Sequence, residues 1–216
     1  MLNKCFILLV FVWFSTISVF AQQEAKKTRV GQFSGLVRAG LVASQMYNDD
    51  FGGYNKLGGT AGFGISTPIS RSGKLQMEMN YAMRGSRKPA KPDDGDFTSI
   101  LLEAHYIDIP ILYKSSIWKF DYEVGLNNGV LIGTRVEYDG GISAPDNRKT
   151  FNRYELALNL GVDVPITDLW AFNARFHYSI LPAAGKLAFV NGLSLTGGMF
   201  HNAITFSFVR TILPKD

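Results

Sequence analysis

Apolar and polar side chains alternate with a period of two in one short segment of the chain. In LQMEMNYAMRG (75–85), the methionines and Tyr81 share one parity, while Glu78 and Asn80 share the other. A period of two predicts a β-strand with one apolar and one polar face. A soluble sheet would bury the apolar face in its core, whereas a membrane barrel would turn that face toward lipid. The strand alone leaves both alternatives open.

Seven further segments alternate in the same way, and no helical period of 3.6 residues is present. The pattern predicts eight strands, at 33–45, 59–69, 75–85, 105–114, 119–139, 153–166, 169–180 and 200–210. Asn128 interrupts the apolar face of the fifth strand, which predicts a bulge there. Pro110 lies in the middle of the fourth strand and cannot donate to the ladder, so we expect a local bulge or kink around it.

The connections between the strands alternate between short and long. Those after strands two, four and six are SRSGK, SSIW and TD, and those after strands one, three, five and seven are much longer and mostly polar. Outer-membrane barrels have this arrangement, and hydrocarbon forces their sheet to close because it offers no partner for an edge. The predicted fold is therefore an all-β, eight-stranded antiparallel up-and-down transmembrane β-barrel with short periplasmic turns and long extracellular loops.

Aromatic residues lie near both predicted rims. Trp118 and Trp170 flank short turns, with Tyr113 close to the first of them, and Tyr138 and Tyr154 lie beside a long loop. Amphipathic rings favour the headgroup layers on both sides of a bilayer. We therefore predict that these five residues form an aromatic girdle.

The first 21 residues differ from the rest of the chain. Lys4 precedes the apolar run FILLVFVWFSTISVF, and small side chains at Val19 and Ala21 suit a signal peptidase. We expect residues 1–21 to be a signal peptide cleaved before Gln22, with a retained membrane anchor as the alternative. The only cysteine, Cys5, is lost with the signal peptide, which excludes disulfides and thiolate chemistry in the mature chain.

Length and composition bound the remaining chain. With 216 residues, 46% of them hydrophobic and 19% charged, the sequence suits one folded domain. The predicted organisation after the signal peptide is a periplasmic segment (22–32), the barrel (33–210) and a C-terminal tail (211–216). The net charge of +4 is spread along the chain without basic runs interleaved with aromatics, so we expect no nucleic-acid partner.

The fourth and fifth strands carry a family resemblance. The segment HYIDIPILYK contains Tyr106, Asp108, Pro110 and Leu112, and DYEVGLNNGVLIG follows it with two spaced glycines at 125 and 129. With the GLVRAGLVAS opening, these segments resemble the PorT-like outer-membrane β-barrel proteins of Gram-negative bacteria. The resemblance implies an eight-stranded barrel and, for some members, a link to protein secretion. It implies no catalytic residues.

The end of the last strand bears on assembly. Outer-membrane barrels usually end on an aromatic that the barrel-assembly machinery reads, which makes this machinery an expected partner. Here Phe206 and Phe208 are followed by VRTILPKD, so we expect these two residues to serve that purpose.

Charged residues recur on the parity opposite to the apolar face. An eight-stranded barrel is only wide enough for side chains to fill it, so it cannot be a wide diffusion pore. We predict that these residues pair in the lumen, because a lone charge could not stay buried there; a small-ion path or binding site is the alternative. The predicted lumen charge network is Glu78, Arg84, Asp108, Asp121, Glu123, Arg135, Glu155, Asp163, Arg175 and His177, with Arg38, Lys114 and Glu137 on the same parity.

No motif predicts a catalytic residue, a metal site or a cofactor. The acidic pairs at 49–50 and 93–94 lack calcium-loop spacing and lie in polar loops, where Asp mostly serves turns. The sequence favours a non-enzymatic outer-membrane protein with a structural or interaction role, accessory to protein secretion or adhesion. Its expected partners are outer-membrane lipid and a protein at the extracellular loops. Two alternatives remain: a lipid-modifying hydrolase that uses His105 and His201, and a soluble lipocalin-like barrel around a ligand.

Overall fold

The strands form a closed ring. The computed structural model describes residues 32–49, 51–138, 151–185 and 198–212. Its strands are β1 Ser34–Tyr47, β2 Lys56–Pro68, β3 Gly73–Lys88, β4 Ile100–Ile117, β5 Phe120–Tyr138, β6 Tyr154–Pro165, β7 Trp170–Ser179, β8 Ala184–Gly185 and β9 Gly198–Ile212. Sequential long strands pair antiparallel, and β9 pairs with both β7 and β1. The predicted eight-stranded up-and-down barrel is confirmed, and the two-residue β8 pairs with the start of β9.

All three short connections are tight turns at one rim, which we call the turn side. The Ile69 N–H donates to the Gly73 carbonyl oxygen at 2.9 Å, and the Ile166 N–H donates to the Trp170 carbonyl oxygen at 2.8 Å. Trp118 begins the two-residue turn between β4 and β5 with a φ of 58°. This conformation is normally adopted by glycine, so the turn holds a residue with a side chain in a strained region of φ.

The four longer connections leave the opposite rim, the loop side. The hairpin of β3 and β4 reaches further than predicted, because Lys88 pairs with Ile100. Its loop is itself ordered by a 3₁₀ helix, Pro92–Asp94, and by an antiparallel bridge between Lys91 and Asp96. The extended hairpin therefore holds a short structured loop.

Among the described residues, no helix has the length and apolar character that a bilayer crossing needs.

The polarity of the barrel is the reverse of a soluble protein's. Met77 and Met79 are 46% and 45% exposed on the outer wall, while Glu78 between them is 2% exposed in the lumen. Lipid-embedded barrels have an apolar outer band and polar lumen in this way. The lipocalin-like alternative, which needed an apolar lumen, is therefore wrong.

A bulge in β5 reverses the faces of its loop-side end. His105 pairs with Gly133 and Tyr106 pairs with Leu131, so Ile132 is an extra residue with no partner on β4. Beyond it, Val136 turns into the lumen and Arg135 turns outward, with 58% of its side chain exposed. The predictions that Arg135 joins the lumen network and that Tyr138 joins the girdle are consequently wrong, and Glu137 also lies outside the lumen. Gly133 directly follows the extra residue and was the local signal for the bulge, but glycines recur along this strand and did not single it out.

Two other predicted irregularities have different outcomes. Asn128 lies on the outer wall in unbroken register with Leu156, so the bulge predicted there is four residues away. Opposite Pro110, the ladder between β3 and β4 lapses for two positions while the ladder to β5 continues. This agrees with a proline whose missing N–H interrupts only one of the two ladders.

At the C-terminal end, β9 continues to Ile212, two residues past the predicted limit of the barrel.

Candidate functional site

Six inward-facing charges form a cluster nearer the turn side, which we call the turn-side network. Each is contributed by a different strand from β1 and β3 to β7, and every residue is at most 6% exposed. The members are Arg38, Glu78, Lys114, Glu123, Asp163 and Arg175. Because each strand places alternate residues in the lumen, one charge from each of six strands is enough to build a cluster of partners.

Arg175 is the centre of the turn-side network. Its two terminal nitrogens donate to the Glu78 carboxylate, both at 2.9 Å, and its Nε donates to Glu123 Oε1 at 2.5 Å. Arg38 Nη1 donates to the same Glu78 Oε2 at 2.9 Å. The arrangement places Glu78 between two guanidinium groups, which offsets the cost of removing its charge from water.

Lys114 and an amide extend the network across the lumen. Lys114 Nζ lies 2.5 Å from Asp163 Oδ2 and 3.0 Å from Glu123 Oε2. Asn173 donates to Glu123 and Asp163 and accepts from Arg38 Nη2 at 2.9 Å. Asn173, which sequence reasoning did not single out, therefore joins three charged residues, and its inward parity was the only signal for it.

A second cluster, the loop-side network, lies further along the lumen and contains Arg84, Asp108, Glu155 and His177. Arg84 donates to both oxygens of Asp108, at 2.7 and 3.0 Å, and to Glu155 Oε2 at 2.6 Å. His177 Nε2 lies 3.2 Å from Glu155 Oε1, which also accepts a hydrogen bond from Ser179. In the described part of the chain, no direct hydrogen bond joins this network to the turn-side network.

An apolar cluster, which we call the apolar plug, fills the lumen above the loop-side network. Leu102, Tyr106 and Val136 are at most 2% exposed, and loop residues such as Phe151 pack onto them. The full set is Met46, Ile100, Leu102, Ala104, Tyr106, Val136, Phe151, Ala183, Ala184 and Met199. Arg84 lies 4.6 Å from the Tyr106 ring centroid, so a cation–π contact joins the plug to the charges below.

The structure brings eight of the ten predicted lumen residues into the two networks: Glu78, Arg84, Asp108, Glu123, Glu155, Asp163, Arg175 and His177. Asp121 lies apart at the turn-side mouth, where Lys74 Nζ is 3.1 Å from its Oδ2. The apolar plug was not predicted, because its β4 members share the inward parity of the charged residues and its β5 member, Val136, reaches the lumen only beyond the bulge. The alternation of Leu102, Ala104 and Tyr106 was the available signal.

Comparison with known proteins identifies the family. Residues 20–184 match the family described as "Outer membrane protein beta-barrel domain". The chain belongs to this outer-membrane barrel family. Among solved structures, the chain is similar to Neisserial surface protein A, with a TM-score of 0.52 and 13% sequence identity. The match covers 82% of this chain and 96% of that chain.

A further neighbour of the family barrel is Ail, the attachment invasion locus protein of Yersinia pestis. It is 10% identical, with a TM-score of 0.46 and coverage of 84% of this chain and 99% of that chain. No curated protein matches the sequence. Family membership and the fold together place the protein in the outer membrane.

Four of the five predicted girdle residues lie on the outer wall of the family barrel. Tyr113, Trp118 and Trp170 are at the turn side, 43%, 97% and 42% exposed, and Tyr154 is 62% exposed near the loop side. Arg210 lies 5.6 Å from the Trp170 ring centroid. Rings beside a cation at the edge of an apolar band are typical of the headgroup layer.

A small polar cluster interrupts the outer wall near the loop side. Tyr81 Oη lies 2.6 Å from His105 Nδ1, and His105 Nε2 lies 3.2 Å from Glu103 Oε1. Lys56 Nζ is 2.8 Å from the other oxygen of Glu103. His201, in contrast, is fully buried in the lumen, so the two histidines of the hydrolase alternative lie on opposite faces of the barrel wall.

Of the two acidic loop pairs, Asp49 has a local structural role. Asp49 Oδ1 accepts a hydrogen bond from the Phe51 N–H at 3.0 Å, which is the geometry of an Asx turn. Asp93 is exposed in the 3₁₀ helix, and Asp50 and the Asp94 side chain lie outside the described set. Within that set, no three metal-ligating side chains converge.

Proposed function

We propose that the protein is a non-enzymatic outer-membrane barrel that acts through its extracellular loops, as an accessory to protein secretion or adhesion. The observation that carries the proposal is the filled lumen. Paired charges and an apolar plug occupy its length in the described residues, so the loop rim is the surface left for partners. On that rim, Phe97 is 73% exposed in the structured loop between β3 and β4.

The proposal requires that the loops face the cell exterior. Asp93, in the β3–β4 loop, and Arg71, in a turn, are both exposed. Each can be replaced by a single cysteine. On intact cells, a membrane-impermeant maleimide should label position 93 and leave position 71 unlabelled. Labelling of position 71 alone would reverse the orientation and contradict the proposal.

Partner binding at the loops is tested by site-specific photocrosslinking in living cells. A photoreactive side chain at Phe97 should give a discrete crosslinked protein, whereas the same group at Leu126, which is 51% exposed on the lipid-facing wall, should not. Crosslinks of equal yield at both positions would indicate random encounters in the membrane. That outcome would remove the support for a loop partner.

The PorT-like resemblance supports the secretion role over adhesion. It rests on Tyr106, Asp108 and Pro110 in β4 and on the glycines at 125 and 129 in β5. A deletion strain should lose proteins from the culture medium that return when the gene is restored. An unchanged set of secreted proteins, combined with weaker attachment to surfaces, would favour adhesion instead.

Export from a Gram-negative cytoplasm is part of the same proposal. The charged and apolar segment 1–21 has the features of a signal peptide. The intact mass of protein purified from membranes should correspond to a chain that begins at Gln22. A mass that includes residues 1–21 would favour the retained anchor.

The polar cluster on the outer wall favours one second candidate, hydrolysis of lipid A or phospholipid esters. A hydroxyl, an imidazole and a carboxylate in sequence are the elements of an activated nucleophile, and Tyr81, His105 and Glu103 have this order. The candidate requires that His105→Gln abolish acyl release by purified protein while His201→Gln leaves it unchanged. Equal release by both variants and by the parent would exclude it.

A further inference from the structure

An imidazole, that of His201 on β9, lies against the apolar plug. His201 is fully buried, and its ring meets the Tyr106 ring edge-on, with the two ring centroids 5.4 Å apart. Its inward neighbour along β9 is Met199, and its partner on β1 is Met46, both members of the plug. Between residues 39 and 47, β1 adds no charged residue. The imidazole is therefore surrounded on these sides by apolar and aromatic groups.

Neither ring nitrogen of His201 has a hydrogen-bond partner within the described residues. The Tyr106 hydroxyl also has none there, so the two rings are in contact without a polar interaction between them. A neutral imidazole leaves one N–H group unpaired in this position, whereas an imidazolium would leave two N–H groups and a charge unpaired. Burial of an unpaired charge costs far more than burial of an unpaired polar group, so the closed plug favours the neutral ring.

The charged groups that act on His201 through space already have other partners. They are Arg84 on β3, Asp108 on β4, Glu155 on β6 and His177 on β7. Arg84 donates to both carboxylates of this set, and His177 Nε2 lies 3.2 Å from one Glu155 oxygen. Asp49, in the loop after β1, accepts within its own Asx turn. An imidazolium at position 201 would therefore compete with Arg84 and His177 for carboxylates that they already bind.

Two loop segments complete the plug at the loop side, and we call them the lid: residues 151–152 and 182–184. Phe151 and Ala184 form an antiparallel bridge that joins the two segments. The Ala183 N–H donates to the Met199 carbonyl oxygen at 2.8 Å, two residues before His201. The lid is therefore held by the same strand, and beside the same inward positions, as the buried imidazole.

We propose that the lid is a pH-sensitive closure of the lumen, which stays shut while His201 is neutral and opens when His201 is protonated. Lifting the lid admits water to the plug, and an imidazole in water takes up a proton near its ordinary pKa of about 6.5. The closed state holds the neutral ring and the open state holds the charged one. The open state therefore gains population as the pH falls below that value, by at most about tenfold per pH unit, and the closed state prevails above it.

Cysteine accessibility in detergent tests the lid. In a Cys5→Ser background, Ala183→Cys places the only thiol of the chain in the lid, and Asp93→Cys places it on the exposed β3–β4 loop as a reference. An aromatic disulfide reagent is used because it remains reactive toward thiols in acid. The rate at position 183, divided by the reference rate at the same pH, should rise at least about tenfold between about pH 7.5 and about pH 5.

Two variants separate His201 from the other titrating groups. His201→Phe keeps a ring against the plug without a titratable group, and it should hold the relative rate at its neutral-pH value throughout. The matched control His177→Gln removes the other lumen histidine and should keep the acid response. Heat-modified mobility on a gel verifies that each variant is a folded barrel.

Two outcomes would overturn the proposal. One is a relative rate at position 183 that is the same at both pH values with His201 intact, a measurement that needs no histidine variant to fold. The other is an acid response that persists in folded His201→Phe, which would assign the response to the carboxylates of the loop-side network.

Discussion

At the scale of single residues, buried charges in the lumen are stable only when they are paired with charges of opposite sign. Arg175 has two carboxylates as partners, Glu78 and Glu123, and none of the three reaches bulk solvent. Removing one member of a buried pair leaves the other charged and unpaired, which costs more than the pair itself contributes. Lumen and outer-wall ion pairs should therefore respond very differently to mutation.

We expect Arg175→Met to lower the free energy of unfolding by about 3–5 kcal/mol, because two carboxylates lose their shared cation. Arg135→Met removes an outer-wall pair with Glu137 from a side chain that is 58% exposed, and should cost at most about 1 kcal/mol. Urea unfolding in detergent measures both. Equal losses would mean that the lumen charges are solvated.

Trp118 offers a test of backbone strain. A residue with a side chain costs roughly 1–2 kcal/mol in the left-handed region, and Trp118 has a φ of 58°. Both Trp118→Gly and Trp118→Ala remove the indole, but only glycine relieves the strain. In detergent, the glycine variant should unfold at a free energy about 1 kcal/mol higher than the alanine variant. An alanine variant of equal or greater stability would contradict the turn geometry.

At the scale of elements, the bulge at Ile132 decides which side chains of β5 reach the lumen. A period-two pattern predicts faces correctly only while the register is unbroken. Before the bulge, the alternation assigned Glu123 to the lumen correctly, and after it the assignments of Arg135 and Tyr138 failed. Val130, Leu131 and Ile132 are all apolar, so the pattern does not show which of them is the extra residue or that the faces reverse beyond it.

The face reversal predicts opposite reactivities at adjacent positions. If residues 1–21 are removed, the mature chain has no thiol, so an introduced cysteine reports its own site. In folded protein, Arg135→Cys should react with a maleimide, whereas Val136→Cys, buried in the apolar plug, should react only after unfolding. Reaction at 136 and protection at 135 would restore the sequence-based assignment.

The β3–β4 loop contains a carboxyl group, that of Asp96, whose pKa is shifted by its hydrogen bonds. Hydrogen bonds from Lys88 and from the Thr98 N–H lower the pKa of Asp96 below its usual value. A lowered pKa means that the ionised form supports the loop above the ordinary Asp pKa, and that this support fades as the pH falls through the lowered value. A carboxyl titration by nuclear magnetic resonance should show the pKa of Asp96 rising in Lys88→Gln. No change in that variant would exclude the ion pair.

At the scale of the whole molecule, the filled lumen predicts a barrel that does not conduct. In the part of the chain that the structure describes, charge networks and the apolar plug occupy the lumen, and a cavity of about 30 Å³ between the networks is far short of a continuous water path. Purified protein in a planar bilayer should give no unitary current steps. Regular steps of constant amplitude would show an open path and would revive the small-ion alternative.

The sequence predicts the global fold better than the interior detail. Eight alternating segments and alternating connection lengths specify the barrel, and strict inward parity places Glu78, Asp163 and Arg175 in one lumen. Which charge meets which depends on the stagger of the strands, and parity carries no information about stagger. The plug escaped prediction because apolar residues of inward parity, such as Leu102, look the same as lipid-facing ones.

The turn-side network also has a consequence for insertion into the membrane. Its charges come from six strands, and Arg38 on β1 donates to Ser207 on β9 across the seam where the first and last strands meet, at 2.7 Å. A hairpin that entered the bilayer early would carry charges without most of their partners into hydrocarbon, such as Glu78 on β3 without Arg38 on β1 and Arg175 on β7. Partly formed sheets are therefore unstable in the bilayer. We expect the barrel to close at the same time as the chain enters the membrane.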